Sequence, residues 1–154
     1  MPGPTTTTLL EAAFIPVLEA MEPRTEMQRA GGAWKHVEGE RPPGTNLRTF
    51  RFEWDTVGET PKGFFGRQTP GQRSWVDTTV MLTIFVDYGG VAAHLVKHVV
   101  EDDIYQVRDV IGRLRYTIDG FRVFRFDDWG FTNNDPNQRQ AALQYLVHYM
   151  KERA

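Results

Sequence analysis

The stretch WVDTTVMLTIFVDY, residues 75–88, decides the fold class. Val76, Val80, Leu82, Ile84, Val86 and Tyr88 share one face of an extended chain, and Thr79, Met81, Thr83 and Phe85 share the other. A period of two is the mark of a β-strand. Both faces are largely apolar. Such a strand belongs in the middle of a sheet that is covered on both sides, or covered on one side and set against a neighbouring subunit on the other. Upstream, Phe50, Phe52 and Trp54 alternate with Arg51 and Glu53, which predicts a second strand with an aromatic face and a charged face. Between the two runs, residues 57–73 (VGETPKGFFGRQTPGQR) carry four glycines and two prolines. This segment is too long for a tight turn and reads as a loop. Downstream, Asp119 and Gly120 signal a turn into FRVFRF, residues 121–126, a third strand.

Helical spacing appears on both sides of this β region. Leu10, Ala13, Phe14, Val17, Leu18 and Met21 recur every three or four residues, with Thr8 as the expected N-cap and Glu11 completing a capping box. Pro16 lies inside the pattern and predicts a kink or a late helix start, because it removes a backbone donor. Residues 22–46 lose all periodicity and read as a long connection, with a short strand near residues 33–37. A second helix follows Gly89 and Gly90, with Ile104, Val107, Ile111 and Leu114 as its stripe. Glu101, Asp102 and Asp103 are expected in its first turn and Arg113 and Arg115 in its last, each matching the helix dipole. The ending fits two periods. Asp135 and Pro136 mark a helix start, with Leu143, Leu146, Val147 and Met150 at helical spacing, yet Leu143, Tyr145, Val147 and Tyr149 also alternate as a strand would.

With 154 residues, the chain has the length of one domain with a real core. Its 18 basic and 20 acidic side chains give a net charge of −2. That balance supplies no electrostatic footprint for wrapping nucleic acid or anionic lipid. There is no cysteine, which excludes disulfides, thiol nucleophiles and cysteine metal sites. No apolar run reaches the length of a membrane span, and the opening MPGPTTTTLL lacks the basic region of a signal peptide. A soluble protein of a reducing compartment, or one indifferent to redox, is expected.

Chemistry-bearing patterns are sparse. His94, His98 and Glu101 would share one face of a helix, as metal ligands do, but Leu95 stands where a zincin carries its glutamate base. No metal and no cofactor are expected there. Asp127 and Asp128 are adjacent and would point to opposite faces of a strand, which suits a turn or an ion pair better than paired acid–base work. Ser74 is the only serine and lies in no G-x-S-x-G elbow. Phe64 and Phe65, beside Arg67 and Arg73, form the best candidate contact patch, because aromatics and arginines concentrate at protein interfaces.

The runs VVEDDIYQVRDVIGRL and YTIDGFRVFRFDDWGFTNNDP, followed by the alternating LQYLVHYM, give the chain a further likeness. Together with the element order, they resemble the tail terminator, or tail-completion, proteins of tailed bacteriophages. The resemblance implies a single α/β (α+β) domain over residues 1–154, with a mixed or antiparallel sheet, a long β-hairpin and helices packed on one face. In that setting the ending is a strand. It also implies a non-enzymatic virion protein at the tail–neck junction: a ring, commonly six-fold, that caps the tail tube, stops its polymerisation and joins it to the head-completion proteins. DNA would pass through without specific binding. Phe64, Phe65, Arg67 and Arg73 would then contact a neighbouring subunit or the tube. Other readings are a head-closure or adaptor protein, or a small metal-dependent α/β enzyme using His94, His98 and Glu101.

Overall fold

Alternating aliphatic residues make the strand at the centre of the architecture. The structure, a computed structural model, describes residues 5–29, 31–38, 48–62, 75–89, 91–92, 94–132 and 140–152. Helix α1 (Thr7–Glu19) and the short α2 (Glu26–Arg29) lead into β1 (Trp34–His36) and β2 (Arg48–Lys62). Strand β3 (Trp75–Asp87), helix α3 (Val96–Gly112) and a 3-10 turn (Arg113–Tyr116) precede β4 (Phe121–Phe131) and β5 (Gln140–Glu152). The strands form one five-stranded mixed sheet in the order β1-β2-β3-β5-β4. Only β1 and β2 run parallel, and every other neighbouring pair is antiparallel. This is a single α+β domain, with β3 central as its two apolar faces required. No helix among the described residues is long and apolar enough to cross a membrane.

Cross-strand register assigns the faces. Trp54 lies opposite Leu82, Leu82 opposite Tyr145, and Tyr145 opposite Phe126. The next row links Phe52, Ile84, Leu143 and Trp129. These rows, with Leu10, Phe14 and Leu18 of α1 and Val99, Val100, Val107 and Ile111 of α3, make one core. Phe14 is its hinge, with ring centroids 5.5 Å from Phe121, 5.8 Å from Phe124, 6.1 Å from Trp54 and 6.5 Å from Phe52. Burying each such side chain stabilises the fold by roughly 1.5–3 kcal/mol. All the helices therefore cover the same side of the sheet.

Several expectations are corrected. Thr6, not Thr8, caps α1: its backbone is extended and its hydroxyl accepts from the Leu9 N–H at 3.2 Å. The helix continues through Pro16, which sits on the exposed side. The connection between α1 and β1 contains α2, too short to produce a periodic signal. Helix α3 begins at Val96, so Glu101, Asp102 and Asp103 fall in its interior, not its first turn, and Arg113 and Arg115 belong to the 3-10 turn. Residues 57–62 extend β2 rather than opening a loop, because they pair with the start of β3 from Gly58 opposite Thr79 to Lys62 opposite Trp75. A bulge between Thr56 and Gly58 leaves Val57 as the extra residue. Strand β4 runs past Phe126 to Phe131, also with bulges. The ending is β5, where helical spacing loses to the alternation that buries Ala141, Leu143, Tyr145, Val147 and Tyr149.

Candidate functional site

One face of this sheet has no cover among the described residues. Its rows are Asp55, Met81, Leu146 and Arg125, then Glu53, Thr83, Gln144 and Asp128, then Arg51, Phe85, Ala142 and Gly130. Along β3 and β5 these side chains are half-buried or, for Thr83, buried, while Glu53, Asp55, Arg125 and Asp128 on the bordering strands are exposed. The Arg51 guanidinium lies 4.1 Å from the Phe85 ring centroid, and the Thr79 hydroxyl lies 2.9 Å from His148 Nδ1. An apolar strip of Phe85, Met81 and Leu146 thus runs between charged borders on β2 and β4. Such a face suits contact with another folded surface.

A second cluster is buried and was not singled out from sequence. Arg48, at the start of β2, and Asp103, in α3, are 3% and 0% exposed, with Nε to Oδ2 at 2.9 Å. The Nε–H is not aimed for a hydrogen bond, so this contact is an ion pair. Both guanidinium NH2 groups donate to backbone carbonyls, those of Gly32 and Gln28. Tyr88 donates to Asp103 Oδ2 at 2.8 Å, and Gln28 Nε2 donates to Asp103 Oδ1 at 2.9 Å and to Gln106 Oε1 at 2.7 Å. Gln106 in turn donates to the Glu22 carbonyl at 2.6 Å. Burial pushes the Asp103 carboxyl up to about 6, against the pull of Arg48, Gln28 and Tyr88. Burial and the Asp103 charge push the Tyr88 phenol well above its ordinary value. At neutral pH the carboxylate accepts and the phenol donates. A cavity of about 370 Å³ lies alongside, bordered by Trp34, Arg48 and Gln106. Because the Arg48 donors are already committed within the protein, the cluster ties α2, α3, β2 and β3 together. Periodicity held the missed signal: traced back to Val96, the buried stripe of α3 passes through Asp103.

The residues singled out in the sequence do not gather into a site among the described residues. Phe64, Phe65, Arg67 and Arg73 lie outside the described residues. His94 precedes α3, while His98 and Glu101 stand on it, and all three are exposed. Among the described residues no group of three or more His, Asp or Glu is placed to hold a metal ion. Asp127 and Asp128 are both exposed on β4, where a register shift separates Phe126 from Asp128. No family model matches the chain, and no curated protein matches it either.

Proposed function

We propose that this protein is a structural part of a phage tail: a ring-forming tail terminator that caps the tail tube and joins it to the head-completion proteins. One observation carries the reading. A helix, a long hairpin, a helix and a last strand pair build a sheet that the described residues cover on one side only, leaving a half-apolar face with charged borders on the other. A ring subunit needs two different complementary surfaces, and a sheet with a free face and free edges can supply them. The partners are then further copies of this chain, the tube protein and a neck protein. A net charge of −2 suits a ring through which DNA slides, since each added basic contact to phosphate would grip it.

The test is electron microscopy of tubes assembled from the tube protein encoded beside it, with and without this chain. Tubes of limited length, each ending in a ring, are expected. Tubes that grow equally long and carry nothing at their ends would overturn the reading.

A further inference from the structure

Between Met21, just past α1, and Trp34, at the start of β1, the chain gives the core no side chain among the described residues. Apart from Gly31, the one residue this stretch buries is Gln28, which is polar, and Met27 is 43% exposed. Hydrogen bonds hold the stretch instead. Gln28 Nε2 donates to Asp103 and Gln106, Gln106 donates to the Glu22 carbonyl, and Arg48 donates to the carbonyls of Gln28 and Gly32. At the rim, Thr25 donates to Asp102 and Arg24 to Asp109, both at 3.0 Å. The stretch is also knit to itself, since Gln28 N–H donates to Thr25 Oγ1 at 3.1 Å and Arg24 N–H to Gln28 Oε1 at 2.9 Å. The cavity of about 370 Å³ runs along it, bordered by Glu22, Gln28 and Gly32 as well as by Arg48 and Gln106. Contact between the stretch and what it covers is therefore incomplete. Its two ends, by contrast, adjoin the core: Leu18 is wholly buried before it and Trp34 is 4% exposed after it.

We infer that residues 22–33 are a polar strap that opens as a unit while the sheet and its core stay folded, uncovering the Arg48–Asp103 pair. Opening forfeits little apolar burial, the dominant force on the rest of the fold. Each hydrogen bond that breaks is exchanged for one with water, so its net worth is small. In return, the backbone of the strap regains conformational freedom and two buried charges regain water. An element held this way sits at the low end of local stability. Closed, the strap occupies the Arg48 fork with its own carbonyls; open, that fork and the carboxylate beside it face water. No strand belongs to the strap, so its opening leaves the free sheet face as it was.

Hydrogen exchange of the full chain, read by mass spectrometry, tests this. Corrected for intrinsic rates, peptides spanning residues 24–32 should exchange together, about a thousandfold or more faster than those of β3 and β5. Ile84→Val separates local opening from unfolding, because the open strap leaves Ile84 packed. It should speed exchange in β3 and β5 by roughly two- to tenfold and leave the strap unchanged. Thr25→Cys/Asp102→Cys supplies the only two thiols of the chain, one on each side of the closure. A short bismaleimide joining them should slow exchange in the strap by roughly tenfold or more, compared with the same variant unlinked. A strap that exchanges only with the core, and speeds with it in Ile84→Val, overturns the separate opening. Exchange at the unprotected rate overturns it too, because the strap would then never close. So does exchange that linking fails to slow, since the amides would then open without lifting from α3.

Discussion

At the residue scale, the molecule's most exacting position is the pairing of Arg48 with Asp103. Two charges have left water and face each other at 2.9 Å. Arg48→Met removes the counter-charge and leaves a buried carboxylate, which should cost about 3–5 kcal/mol of stability. Replacing both, as Arg48→Met with Asp103→Leu, should recover much of that loss. The pH dependence follows from the raised Asp103 value. A carboxyl that titrates near 6 when folded, against 3.8 ordinarily, contributes stability that is complete below about pH 4 and lost as pH rises through about 6, on the order of 3 kcal/mol. Without Arg48 the folded carboxyl titrates higher still, so the cost of Arg48→Met should be largest above pH 6 and shrink toward pH 4. Urea midpoints of both proteins across that range measure this, and a cost that is flat with pH would count against an ionised Asp103. Asp109 works in the opposite sense, because its hydrogen bond from Arg24 at 3.0 Å holds it below its ordinary value. Gly31 belongs to the same site. A Cβ there would lie 2.5 Å from the Arg48 guanidinium, so Gly31→Ala should be destabilising, read as a lowered melting midpoint.

At the scale of elements, the helix-side core meets at α1 and Phe14. Truncating it to alanine removes ring contacts with β2 and β4 at once and should cost about 3–5 kcal/mol, measured as a lowered urea midpoint with an unchanged slope. The strands that carry this core were legible because Phe50, Phe52 and Trp54, and the run that became β3, alternate without interruption. The ending was harder, since residues 140–152 satisfy both periods. What decides it is pairing, with β3 on one side and β4 on the other. The far end of β2 was hidden by Gly58 and Pro61, local breakers that are tolerated because thirteen β3 positions hold the partner strand in register. The start of α3 was hidden for the converse reason: its acidic run looks like a first turn, and only burial of Val96, Val99 and Asp103 moves the boundary upstream. The ion pair itself was not legible, because nothing local links Arg48 to Asp103. Where a sharp turn is fixed locally, the sequence speaks plainly. Gly120 has φ of 83° and its carbonyl accepts from Met150 N–H at 2.8 Å. Gly120→Ala should cost about 1 kcal/mol or more, seen as a lower melting midpoint.

At the scale of the whole molecule, the proposed assembly and the folding use different parts of the chain. The core lies between the helices and one face of the sheet, so variants confined to the other face and its edges should change association without changing melting. The same separation gives Phe64 and Phe65 a decisive role as a test. Read from sequence, they are contact anchors, with Arg67 and Arg73 as fork-shaped donors to a partner. If that is their work, replacing both rings by alanine should cost about 2 kcal/mol or more of binding to the tube or the next subunit, with a near-normal midpoint for the isolated chain. If instead the rings fold back into the core, the same change opens a cavity and removes several kcal/mol of fold stability, on the order of 3–5 for each buried ring. The two outcomes are far apart. A melting curve of the isolated double variant, set beside its ability to join tails, separates them: normal melting with failed joining supports a contact role, and a collapsed midpoint makes these rings part of the fold.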